Sequence, residues 1–345
     1  MLSKIKKTLM PFICSTPVTK MFETLNQGKL RILFYHRIAP AHSLERLYEP
    51  TMFVEENEFE DQMRLLRDQY QPVCEQDVIE ALKGNVRLPG KAVWVTFDDG
   101  YKDNFLLGYP ILKKWGIRAT FFVATDYIDR KELPWEGCIL EALQKTDARS
   151  ALVDTDGRTL IFELSNRKQR RLAGYEIIRR LAKKNILNRE KVLSLISKLQ
   201  VDLNKMDLSF MSWDNIREMA DNGSFIGSHT VMHRPMTKLS RDEVSYEIGE
   251  SKRRIEECIG RQVFSFSYPY GKCPASLSDP VLFDKGIEVA VTAKTGPNDL
   301  TRAEKFRLGR FDLGYRNAPH IWKFKLATCR FWAKLKEYTA GAEVV

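Results

Sequence analysis

Seven short runs of β-branched and aromatic residues punctuate the chain: 30–35 (LRILFY), 92–97 (AVWVTF), 119–123, 224–227, 263–267, 287–292 and 306–309. Between them lie stretches whose apolar residues recur every three or four positions. The alternation predicts βα units around a mostly parallel sheet, and seven strands suit a barrel. Helices are expected over 55–71, where Phe59, Met63 and Leu66 share a face, and over 103–115, 213–222 and 241–259. The last has the clearest ends: Ser240 and Glu243 form a capping box and Gly260 stops it.

Residues 130–207 break this rhythm. Two helices are expected there, 166–184 and 189–200, the second with Val192, Leu195, Ile196 and Leu199 at helical spacing. The block reads as an insertion packed on the barrel. The expected organisation is a basic N-terminal segment (1–28), a barrel (29–129 and 208–315), a basic helical insertion (130–207) and a basic aromatic C-terminal helix (316–345).

Composition places the 345 residues in the ordinary globular class, with 43% hydrophobic and 29% charged residues. The net charge of +10 is uneven. Residues 166–198 hold eleven Lys/Arg against Glu176 and Glu190. Residues 316–338 and 1–30 are also basic, which leaves an acidic body. Basic appendages around an acidic body fit an anionic surface or ligand, and equally fit solvated helix faces. The tail alternates Ile321, Trp322, Phe324, Phe331 and Trp332 with lysines, a pattern suited to peripheral contact with an anionic membrane or to packing on the barrel.

Six cysteines, never closer than fifteen positions, contain no CxxC pair and read as reduced thiols in a cytosolic setting. No apolar run is long enough to span a bilayer. The basic start is followed by an apolar stretch only from Leu9 to Cys14, interrupted by Pro11, which argues against a signal peptide. The expected location is cytoplasmic, with room for peripheral contact at the inner membrane face.

In an α/β barrel, polar residues just past a strand carry the chemistry. Four strand ends qualify. Asp98 and Asp99 follow 92–97, and two adjacent carboxylates there need a cation, donors or water, a solvated turn closed by Gly100 being the plain alternative. His229 and His233 follow 224–227. Two imidazoles four residues apart can grip one metal if neutral and joined by a carboxylate, although such spacing also arises by chance. In Tyr268-Pro269-Tyr270-Gly271 a rigid turn could aim an amide N–H into a cleft, or merely pack aromatics. His36 ends the run 30–35 as a proton donor or a satisfied buried imidazole.

Taken together, TFDDG, then SHTVMH, then YPYG resembles the polysaccharide deacetylases of carbohydrate esterase family 4, which carry the NodB homology domain. The resemblance covers about residues 29–129 and 208–315. It implies an α/β fold of the distorted (β/α)7 barrel type and a hydrolase acting on carbon–nitrogen bonds of N-acetylated amino sugars. It also implies one divalent metal ion, with zinc the expected identity, held by Asp99, His229 and His233, and Asp98 as general base. Two histidines and one carboxylate leave positions open for water and substrate, as a catalytic zinc requires. The backbone N–H of Tyr270 would stabilise the oxyanion.

The sequence departs from the commonest family pattern in two places. The late leucine-x-histidine that supplies the acid is missing. His320 follows Pro319 in the basic tail, whereas His36 stands in a Tyr-His context similar to that of relatives acting on poly-N-acetylglucosamine. Ser267 occupies a position where many relatives have an arginine, and Arg310 is the expected substitute, as in exopolysaccharide relatives. The expected substrate is an N-acetylated glycan or its lipid-linked precursor. The alternatives are a deformylase or amidase on another C–N substrate and a catalytically degenerate carbohydrate-binding module. Nucleic-acid binding is not expected, because no recognition motif accompanies the basic run 167–184.

Overall fold

The computed structural model describes residues 16–43, 52–131, 133–155, 158–183, 189–202, 209–274, 279–313, 322 and 326–328. The run AVWVTF forms strand β5 (Ala92–Phe97), in which all six residues are buried. Burial on both faces is what near-continuous apolar strands of a parallel sheet require. β5 lies beside β1 (Arg31–Tyr35) and β6 (Thr120–Val123), in register from Arg31↔Val93 to Tyr35↔Phe97 on one side and at Thr96↔Thr120 on the other. The sheet continues through β9 (Phe225–Ser228), β10 (Ser265–Ser267) and β11 (Val289–Val291), every pairing parallel.

The far edge returns to the first strand. Leu308 bridges Val291 in parallel, and β12 (Phe311–Asp312) pairs with β1. One short segment therefore touches both edges and curls the sheet into a barrel. The strand expected at 306–309 is displaced to this place because Leu308 pairs only as an isolated bridge, while Asn298 binds the Gly309 backbone on both its N–H and carbonyl sides. β4 (Gln71–Pro72) adds a two-residue pairing at the start of β5. A small parallel pair, β2 (Arg37–Ala39) and β3 (Phe53–Glu55), was not signalled by the hydrophobic pattern.

The helices stand close to their expected bounds. They include Glu56–Gln69, which buries Phe59, Met63 and Leu66, and Trp213–Asp221. The helix Arg241–Ile259 shows the Ser240/Glu243 capping box and a left-handed Gly260 at its end. The stretch expected as one helix over 103–115 opens with a π-helical turn, Asn104–Gly108, before the α-helix Tyr109–Lys114. That turn places the buried Asn104 where its amide donates to the His36 carbonyl at 2.8 Å. Single π turns often mark functional sites.

The insertion holds the two expected helices, Arg167–Lys183 and Arg189–Lys198. It also holds a helix Trp135–Lys145 and an antiparallel hairpin of β7 (Ser150–Thr155) and β8 (Arg158–Glu163), which helical periodicity did not announce. Its own core gathers Ile139, Leu143, Val153, Ile177, Val192 and Ile196. Leu140 and Ile178 pack on Met52, Phe53 and Ala39 of the barrel.

Of the tail, Trp322 and Leu326 join the main core, and the Leu326 and Ala327 carbonyls accept from Arg31 Nε and Asn26 Nδ2, both at 2.9 Å. The remainder of the expected C-terminal helix, His320 included, and residues 1–15 lie outside the described residues. No described helix is long and apolar enough to cross a membrane.

Candidate functional site

The predicted polar residues meet at the C-terminal end of the barrel strands. Asp98 and Asp99 leave β5, His229 and His233 follow β9, Tyr268–Gly271 follows β10, and His36 ends β1. Continuing backbone bonds extend the strands to these points: Asp98 N–H to the Tyr35 carbonyl, His229 N–H to Val123 and Tyr268 N–H to Val291.

Asp99 Oδ1 lies 3.3 Å from Nε2 of His229 and 3.3 Å from Nε2 of His233, and the three ligand atoms lie within 4.8 Å of one another. His229 Nδ1 is 2.7 Å from the Ser267 carbonyl. A carbonyl only accepts, so Nδ1 carries a proton, and in the neutral imidazole the Nε2 lone pair faces Asp99. Asp99 Oδ1 is buried without a hydrogen-bond donor. Lone pairs from one carboxylate and an imidazole thus converge on one another in a buried place, an unfavourable arrangement that a shared cation relieves. The donor set, two nitrogens and one oxygen, suits a divalent ion with open positions.

Asp98 takes a different partner. Arg310 grips it with two parallel bonds, Nη1 to Oδ1 at 2.8 Å and Nη2 to Oδ2 at 2.7 Å. The guanidinium is itself fixed: Nε donates to the Thr292 carbonyl at 3.0 Å, Nη1 to Thr96 Oγ1 at 3.2 Å and Nη2 to Ser267 Oγ at 3.0 Å. Ser267 Oγ in turn donates to Asp98 Oδ2 at 3.3 Å. Planar bidentate geometry is what arginine supplies and lysine does not. Burial pushes the Asp98 carboxyl up, and the charge of Arg310, with His229 and His36 behind it, brings it below its ordinary value. Asp98 is therefore ionised and held in one orientation.

Four of the seven non-glycine residues with positive φ among those described stand here: Asp99 (75°), Thr230 (70°), His233 (52°) and Tyr270 (58°). Left-handed backbone in such residues, above all β-branched Thr230, persists only where the surroundings impose it. Glu247, fully buried on the helix Arg241–Ile259, accepts from Val231 N–H at 2.7 Å, Met232 N–H at 3.0 Å and Arg234 Nε at 3.0 Å. It thereby ties down the loop that carries both histidines. The sequence reading missed Glu247, since an acid in an amphipathic helix looks solvent-facing; only its place on the buried face beside Val244, Ile248 and Ser251 distinguishes it. Gly271 is obligatory for a plainer reason: with φ of 64°, a Cβ there would lie 2.1 Å from Ala293 Cβ. Among the described residues no acceptor takes the Tyr270 N–H.

A family model described as polysaccharide deacetylase matches residues 85–282. YxkH of Bacillus subtilis (strain 168), provisionally named a polysaccharide deacetylase, is 24% identical over 251 residues, 72% of this chain and 60% of that protein. The poly-beta-1,6-N-acetyl-D-glucosamine N-deacetylase of Escherichia coli (strain K12) is 35% identical over 79 residues, 23% of this chain and 12% of that protein. The chain thus spans less than two thirds of either relative's length. The Streptococcus pyogenes deacetylase PplD, solved in complex with acetate, superposes with a TM-score of 0.56 at 19% identity, over 86% of this chain and 97% of that one. At that identity the superposition speaks for the fold.

Proposed function

The chain belongs to the polysaccharide deacetylase family, and from that membership we propose that it hydrolyses N-acetyl groups from the amino sugars of a polymeric or lipid-linked glycan. The observation that carries the reading is the convergence of Asp99, His229 and His233 beside an ionised, arginine-clamped Asp98.

Asp99, His229 and His233 would hold one divalent ion, with zinc the expected identity. Such an ion polarises an amide carbonyl and makes water more acidic. Asp98 takes the proton of the attacking water, and its clamp by Arg310 and Ser267 keeps one oxygen aimed rather than free to rotate. The Tyr270 N–H, which meets no acceptor among the described residues, donates to the oxyanion that develops on the former carbonyl oxygen. As the C–N bond breaks, the amine leaves with a proton from His36. That imidazole ends β1 and bears electrostatically on both Asp98 and Asp99. The products are acetate and a free amino sugar.

The 35%-identical stretch shared with the E. coli enzyme supports poly-N-acetylglucosamine as the first substrate to try. Basic residues 166–198 and the tail support a peripheral station on an anionic membrane, with the site working from the cytoplasmic side.

The test has two arms. Elemental mass spectrometry of the purified chain should find about one equivalent of a divalent metal, absent from His229→Ala/His233→Ala. Acetate and free amine should appear together from N-acetylglucosamine oligomers with the metal-loaded wild type and not with Asp98→Asn. Metal-loaded protein that binds these oligomers without releasing acetate, or that acts only on formylated sugars, would overturn the reading.

A further inference from the structure

The insertion reaches the site through a polar contact. Tyr270 Oη donates to Glu136 Oε1 at 2.9 Å, and Glu136 stands in the first turn of the insertion helix Trp135–Lys145. A carboxylate at that place is favoured by the unpaired N–H groups and dipole of the helix start, and a carboxylate is a strong acceptor. The Tyr270 ring lies 5.0 Å from the His233 ring, centroid to centroid, and its backbone sits at φ 58°. On the far side of the turn, Gly271 is locked by Ala293: its carbonyl accepts from Ala293 N–H at 3.1 Å. On the near side the tie to the sheet comes two residues earlier, where Tyr268 N–H donates to the Val291 carbonyl at 3.2 Å. Between these ties Tyr270 is held by its side chain, stretched from His233 to the insertion.

We propose that Glu136 is a positioning residue: by anchoring the Tyr270 phenol it fixes the strained Tyr270 backbone, and with it the direction of the Tyr270 N–H and the aromatic wall beside His233. The insertion is then a working part of the site and not an appendage. It bridges the β6 and β10 ends of the barrel mouth, which the sheet alone leaves separated by β9.

The catalytic part of this inference rests on the oxyanion role proposed for the Tyr270 N–H, while its structural part does not. Hydrogen exchange in the full chain reads the structural part. Peptides covering 268–272 should exchange several-fold faster in Glu136→Ala and Tyr270→Phe than in wild type. Glu136→Gln, whose amide oxygen still accepts from the phenol, should stay close to wild type, and peptides from the barrel strands should be unaffected in all three. Equal exchange over 268–272 in wild type and Glu136→Ala would overturn the proposal. Kinetics read the catalytic part: Glu136→Ala and Tyr270→Phe should each lower kcat on the order of 10-fold with little change in KM, as expected for loss of a charge-assisted hydrogen bond. The double variant should be no slower than either single one, and additive losses would refute the shared mechanism. A wild type inert on every acetylated sugar would remove the proposed function, while the exchange data would still decide whether the anchor exists.

Discussion

Glu75 gives the sharpest test of the interior electrostatics. It begins the helix Glu75–Leu82, yet its carboxylate turns into the barrel, where its Oε2 accepts from Ser265 Oγ at 2.6 Å and Thr120 Oγ1 at 3.2 Å. Both partners are neutral hydroxyls, and the nearby Glu288 adds a like charge. Burial therefore wins, and the pKa of the group is raised from 4.5 to about 7. A raised acid binds its proton more tightly in the folded state, so folding is favoured below the unfolded value and loses that contribution as pH rises to the folded value. A tenfold gain in proton affinity corresponds to about 1.4 kcal/mol, so wild type should lose roughly 3 kcal/mol between about pH 4.5 and 7.5 from this group alone. Glu75→Gln keeps an oxygen for both hydroxyls and cannot ionise. Urea denaturation from about pH 4.5 to 8 should show the wild-type minus variant stability difference falling by roughly that amount across the interval, the variant becoming the relatively better folded one at high pH. Parallel pH profiles for the two proteins would show that Glu75 titrates normally and that the reasoning from burial is wrong.

Three further outcomes follow from the site. Arg310→Met removes the only cation bonded to Asp98 among the described residues, so thermal or urea unfolding should show a loss of about 3–5 kcal/mol, the usual consequence of stranding a buried charge, and deacetylation should fall with it. Glu247→Ala leaves two loop N–H groups without their acceptor and Arg234 with Glu243 alone; isothermal titration should show zinc affinity reduced by about 10–100-fold although no proposed ligand is altered. Gly271→Ala combines a positive φ with a collision against Ala293, so a loss of about 2 kcal/mol or more is expected in equilibrium denaturation, together with loss of turnover.

Legibility followed the length scale of each interaction. β5 could be read from AVWVTF because burial on both faces needs an unbroken apolar run, and the helix Arg241–Ile259 because Ser240, Glu243 and Gly260 act on their own neighbours. The two-residue strands β4 and β12 carry no such pattern: they exist because β5 and β1 offer open edges to whatever passes. The hairpin of the insertion was hidden for another reason. Its outer face carries the exposed pair Leu152 and Ile161, opposite one another in register, so inward and outward positions are both apolar and the period of two is blurred. At the site, Asp98, Asp99, His229, His233 and Tyr270 were legible since each follows a strand. Arg310 was reached only through the absence of arginine at position 267, and the structure brings its guanidinium to Ser267 Oγ, at the spot that absence left open.

The strain at the site explains why so many distant residues bear on it. Asp99, Thr230, His233 and Tyr270 each hold a backbone conformation costing on the order of 1–3 kcal/mol. Relaxing any one of them would rotate a ligand atom or an N–H away from the common centre, so the cost has to be offset by contacts made elsewhere. Glu247 offsets it for the histidine loop, and Ala293, packed on Gly271 and bonded to its carbonyl, with Glu136 on the other side, does so for the tyrosine turn. These restraining groups come from a helix packed outside the barrel, from the segment after β11 and from the insertion, three parts of the chain that share no sequence motif. A substitution at any of them should therefore impair the site without touching a residue of TFDDG, SHTVMH or YPYG, and a barrel cut free of its insertion should keep the three proposed metal-ligand side chains yet lose the orientation of Tyr270.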